Sequence, residues 1–126
     1  YIDAIAKTKE LRGRIFFEIF SDTKKYIELT SFTAAKAILK KSGSANYKVT
    51  VFIDGFNKKE ISIFNRGLRS LHVKTRKIRR VKKDENNIFI RLVDAICGLV
   101  RDTNSNNEWA EKAFEKLKNE RIICEL

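Results

Sequence analysis

Val49-Thr50-Val51-Phe52-Ile53-Asp54-Gly55 carries the strongest fold signal in the chain. Five residues, all β-branched or aromatic, run without a charge and end in a carboxylate and a glycine. A run of this kind reads as a strand buried on both faces, in a parallel or mixed sheet covered by helices. Asp54 then stands at the strand's carboxyl end, where open α/β sheets tend to hold their ligands.

Working outward, Tyr1 to Leu11 carries Ile2, Ile5 and Ala6 at helical spacing, and Gly13 breaks it. Arg14 to Phe20 is a short strand candidate. Ser21 and Asp22 are natural N-caps for a helix reaching Lys41, with Gly43 as its stop. After Gly55, Asn57-Lys58-Lys59-Glu60 has the form of a capping box, and Ile61, Phe64, Leu68 and Leu71 give the helix behind it an apolar stripe. His72 to Val81 reads as a short edge strand with charges on both faces, and Asp84 to Asn87 as a loop. Ile88 to Arg101 is a helix whose apolar residues cover well over half its circumference, leaving a polar stripe of Asn87, Arg91, Asp94, Gly98 and Arg101. Glu108 to Asn119 is an amphipathic helix, and Ile122 to Leu126 a short strand or ordered tail. Helix and strand alternate, which means α/β.

The 126 residues suit one domain, spanning 1–126. No apolar run approaches the roughly 18 residues needed to cross a bilayer, so no membrane partner is expected. The chain has no Met and opens on Tyr1, so a missing N-terminal segment is expected. Cys97 and Cys124 make neither a metal spacing nor a disulfide framework. Cys97, in an apolar run, is expected to be a small buried hydrophobe, in a reducing, cytoplasmic setting.

The net charge of +11 is local in origin. Arg66, Arg69, Lys74, Arg76, Lys77, Arg79, Arg80, Lys82 and Lys83 follow one another with no acid between them. The other 18 basic residues face 16 acidic ones. A segment like this is the footprint of a polyanion partner, nucleic acid before membrane; its plainer reading is a solvated face.

Two aspartates are the candidates for chemistry. Asp54 ends the strand, and Asp94 lies in the narrow polar stripe one turn before Gly98. If their carboxylates converge, they offer the hard oxygen ligands that Mg²⁺ or Mn²⁺ needs, and such metals can activate a water against a phosphodiester. Glu18 is a candidate third ligand. The plainer readings are a turn residue for Asp54 and a solvated pair with Arg91 or Arg101 for Asp94. His72, the sole histidine, suits a strand-start or phosphate-contacting role better than that of a general base. No P-loop, dinucleotide fingerprint, zinc spacing or nucleophile elbow is present.

Two pieces, VTVFIDGFNKKE ending its strand at Asp54 and IFIRLVDAICGLVRD around Asp94, together resemble the second half of the bacterial and phage family called domain of unknown function 3800, which is related to the ribonuclease H-like fold. The resemblance covers Lys48 to Asp102, and Leu92-Val93-Asp94-Ala95 followed by Gly98 is its more specific part. It implies a ribonuclease H-like mixed sheet with helices on its faces, lacking its N-terminal strands. By the resemblance, Asp54 is the fourth-strand acid and Asp94 the late-helix acid of a divalent-metal site. The family's opening aspartate-glutamate-serine-glycine motif has no counterpart here, and Ile90 and Arg91 stand where most members have a glutamine nearby.

The expectation is therefore a metal-dependent nuclease or nuclease-like protein. Asp54 and Asp94 are its catalytic metal ligands. Arg66, Arg69, Lys74, Arg76, Lys77, Arg79 and Arg80 hold DNA or RNA, with Arg91 and Arg101 beside Asp94. The alternative is a non-catalytic nucleic-acid-binding or interaction module of a defence or mobile-element system.

Overall fold

A computed structural model describes residues 2–43, 46–82 and 87–126. The architecture is mixed α/β: among the described residues there are five α-helices and four short strands, the strands paired in two small parallel sheets. Packing divides the chain into two units, Tyr1–Phe17 with Asn86–Glu125, and Glu18–Glu85.

The first unit contains α1 (Ile2–Lys7), β1 (Ile15–Phe17), α4 (Ile88–Thr103), α5 (Glu108–Asn119) and β4 (Ile123–Glu125). β1 runs parallel to β4, with Ile15 opposite Ile123 and Phe17 opposite Glu125. Ile5, Phe17, Ile96, Leu99, Leu117 and Ile122 are among the residues of its core. Phe17 and Phe114 meet edge to face at 5.4 Å between ring centroids, the arrangement that aromatic quadrupoles favour. Asn87 and Asn107 cap α4 and α5 through their side-chain oxygens.

The second unit contains α2 (Tyr26–Ser42), β2 (Thr50–Ile53), α3 (Lys58–Ser70) and β3 (Lys77–Arg80). β2 and β3 are parallel, with Thr50 opposite Lys77, Val51 opposite Ile78, Phe52 opposite Arg79 and Ile53 opposite Arg80. Ala35, Phe64, Leu68 and Val73 form the core, and Val51, Ile53, Phe56 and Ile78 pack on it. The expected capping box is present: Asn57 Oδ1 accepts from the Glu60 amide at 2.9 Å, and Glu60 Oε1 accepts from the Asn57 amide at 3.0 Å. α2 and α3 cross closely at Gly67, where a Cβ would stand 2.7 Å from the Ser31 Cβ and overlap its Oγ.

Several expectations need correcting. The strand is four residues long and half-buried on one face only: Val51 and Ile53 turn inward, while Thr50 and Phe52 are exposed. The uncharged run hid this alternation, because Thr and Phe favour a strand on either face. His72 starts no strand. It takes a left-handed conformation, φ 60°, and ends α3. The His72 amide donates to the Arg69 carbonyl and the Val73 amide to the Leu68 carbonyl, with Leu68 and Val73 both buried. This is a Schellman ending without its usual glycine.

α4 is less buried than its broad apolar cover implies. It packs through Ile96 and Leu99 and leaves Phe89 71% exposed, with Ile88 and Val93 also in solvent. Cys97 is exposed rather than buried. The helix expected behind Ser21 and Asp22 begins later, at Tyr26, with Lys25 as its N-cap residue. Asp22 instead accepts from the Lys24 amide. Residues 84–86 of the expected loop, and Lys83, fall outside the described residues.

Candidate nucleic-acid interface

The charge divides as unevenly as the packing. Residues 18–85 hold 17 Lys and Arg against 7 Asp and Glu, a net +10; the remaining 10 basic and 9 acidic residues leave the other unit at +1. The surplus is laid out by three elements in succession. The last turns of α3 carry Arg66 and Arg69, the connection after it carries Lys74 and Arg76, and β3 carries Lys77, Arg79 and Arg80. All seven side chains are exposed. Arg66, Arg69, Lys74, Arg76, Lys77 and Arg80 pair with no carboxylate among the described residues.

Two local features give this surface shape. The first is a hollow of about 500 Å³ at the C-terminal end of α3, lined by Asn65, Arg69, His72, Lys74 and Thr75. The Schellman ending puts His72 there: reversing the chain at the end of α3 brings the imidazole beside Arg69, one turn back, and Lys74 just after it. A guanidinium, an ammonium, an imidazole, an amide and a hydroxyl line the hollow, and among the described residues no carboxylate does. That set of donors suits an oxyanion of phosphate size.

The second feature is the outer face of β2 and β3. Because β2 alternates, Phe52 stands outward, 44% exposed, in register with Arg79. The Arg79 guanidinium carbon lies 6.0 Å from the Phe52 ring centroid, at the outer limit of a cation–π contact. Thr50 and Lys77 occupy the neighbouring register position on the same face. Sequence reasoning missed Phe52, Asn65 and Thr75. Phe52 could have been found by testing Thr50 and Phe52 as an outward pair; nothing in the sequence singles out Asn65 or Thr75.

The acidic candidates lie as follows. Asp54 is exposed at the carboxyl end of β2, before Gly55 at φ 86°, where the chain turns. Beside it, the Val81 amide donates to the Ile53 carbonyl at 2.8 Å. Asp94 is exposed on α4 and belongs to the other unit, as do Arg91 and Arg101. Arg101 Nε stands 3.9 Å from the adjacent Asp102. The Cys97 thiol, one turn after Asp94, has its pKa pushed up, first by desolvation of the sulfur among its neighbours and then by the Asp94 carboxylate. Glu18 already has partners: Thr33 Oγ1 donates to one oxygen at 2.8 Å, and Lys36 Nζ meets the other at 2.9 Å. Among the described residues, no group of three or more His, Cys, Asp or Glu side chains is placed to hold a metal.

Glu60 also does more than cap α3. Tyr26 Oη donates to its Oε2 at 2.8 Å, so the start of α2 is tied to the start of α3. The Asn57 amide, and then this phenol, hold the Glu60 carboxyl below its usual pKa, while the carboxylate raises that of Tyr26.

No family model matches the chain, and neither a curated protein nor a solved structure is found to resemble it.

Proposed function

We propose that the chain binds nucleic acid through the sugar–phosphate backbone, using the basic surface of residues 18–85. One observation carries the reading: a succession of exposed cations on α3, the following connection and β3, of which Arg66, Arg69, Lys74, Arg76, Lys77 and Arg80 pair with no carboxylate among the described residues. Cations held this way remain available to displace the counterions condensed on a polyanion, which is the main source of backbone affinity. The hollow at the end of α3 supplies one seat for a phosphate, between Arg69, His72 and Lys74. The test is a salt titration of binding to a labelled oligonucleotide. Affinity should fall steeply with salt, and Gln at Arg76, Lys77, Arg79 and Arg80 should flatten the log–log slope by about 3, at roughly 0.7–0.9 for each phosphate no longer neutralised. An unchanged slope would count against the reading.

A second reading is metal-dependent phosphodiester hydrolysis on a ribonuclease H-like framework. It rests on the resemblance of residues 48–102 and on Asp54 standing at the carboxyl end of a strand paired with basic β3. The described residues do not assemble a ligand set for a metal, and Glu18 is already engaged by Thr33 and Lys36. Calorimetry separates the two readings: Mn²⁺ binding by the full chain that is lost in both Asp54→Asn and Asp94→Asn supports hydrolysis, and its absence leaves binding alone.

A further inference from the structure

Parallel sheets are ordinarily covered on both faces. The pair of β2 and β3 is not. Val51, Ile53 and Ile78 pack on the core, while the opposite face presents Thr50 and Phe52 on one strand and Lys77 and Arg79 on the other. An aromatic ring left 44% exposed on a strand is costly, since its apolar surface stays wet. Here Arg79 stands in register with the ring and Lys77 precedes it on the same face, so the face is cationic as well as aromatic. Its charge favours an anionic partner, and its ring favours a flat one.

We infer that the outer face of β2 and β3 is a stacking platform for single-stranded nucleic acid, with one base lying on Phe52 and the flanking phosphates drawn to Lys77 and Arg79. The inference rests on the backbone-binding reading and adds to it the form of the strand. In a duplex, the π-faces of the bases are already stacked on one another and closed to a protein ring. In a single strand they are open, and the combination of a basic surface with an aromatic ring is the general means of holding them. Arg79 serves both parts: its guanidinium approaches the Phe52 ring and stands in register beside it. Base stacking and phosphate contact are open to ribose and deoxyribose strands alike, so a deoxyribose strand is a sufficient probe.

The experiment measures binding of the full chain to three probes of equal length: oligodeoxythymidylate, a DNA duplex, and a strand of abasic sugar–phosphate. The inference expects the base-bearing single strand to bind about tenfold or more tighter than the abasic one, the gain typical of one stacked base. Phe52→Leu keeps an apolar side chain on the strand and should bring oligodeoxythymidylate down to the abasic level without changing the abasic affinity. Phe52→Tyr restores a ring and should restore the difference. If all three probes bind alike with a steep salt dependence, the platform is refuted while backbone binding survives. The same holds if Phe52→Leu binds the base-bearing strand as wild type does. If no probe binds, both readings fall.

Discussion

Each unit ends one of its helices in the same way, yet the two carry very different charge. In one, α3 closes on His72 in the left-handed region, with the Val73 amide returning to Leu68. In the other, α5 closes on Arg121 at φ 59°, with the Ile122 amide returning to Leu117 at 2.9 Å. Both endings bury an apolar pair, Leu68 with Val73 and Leu117 with Ile122, and both lead into a strand of a parallel pair. The shared device turns a helix into a strand without glycine. What it carries differs: a net +10 over residues 18–85 against +1 over the rest. The folding device is therefore common to both units, and the basic surplus belongs to one.

Removing the apolar pairs should have the largest effect. Leu68→Ala and Leu117→Ala each open a cavity at a fully buried position, and each should cost about 2–5 kcal/mol in chemical denaturation. If only one does, the two endings are not equivalent in weight.

Next comes the close crossing of α2 and α3 at Gly67. Gly67→Ala would force its Cβ against Ser31. In an open helix, alanine is favoured over glycine by about 1 kcal/mol; here overpacking should reverse the sign and cost about 1–3 kcal/mol. A stabilised variant would show that α2 and α3 do not cross as described.

The left-handed positions distinguish the two units further. Glycine at His72 or Arg121 relieves a strained conformation, so both variants should gain stability by up to about 1 kcal/mol. Only His72→Gly should also weaken oligonucleotide binding, because His72 lines the basic hollow. Equal binding by both variants would remove His72 from the interface.

The smallest effect expected is that of pH. Glu60 has its pKa lowered in the folded chain, so its contribution is present above its ordinary value of 4.5 and is lost as pH falls through the lower folded value. Glu60→Gln can keep the capping box but does not titrate. Wild type should exceed it in stability at pH 7, and the gap should close on acidification below about 4.5. A gap that persists at pH 2 would mean that the charge of Glu60 is not its source.

Much of this was legible in the sequence. The capping box at Asn57 and Glu60 and the bounds of α5 follow from local rules, because caps and amphipathic stripes act within one or two turns. The basic segment was legible as composition. The exposure of Phe52 was not: it depends on what covers each face of β2, a tertiary matter, and its neighbours fit a strand either way. The left-handed His72 and Arg121 were hidden because neither is glycine or asparagine. The exposure of Phe89 and Val93 on α4 was hidden for the converse reason, since apolar residues around a helix announce burial that packing here does not provide.

The central claim is that polyanion binding belongs to residues 18–85. Amide chemical-shift mapping of the ¹⁵N-labelled chain during titration with oligodeoxythymidylate tests it most directly. Shifts should concentrate at residues 50–53 and 65–82 and be suppressed by added salt, with α4 and α5 unmoved. Shifts centred on α4 or α5, or spread evenly over both units, would contradict it.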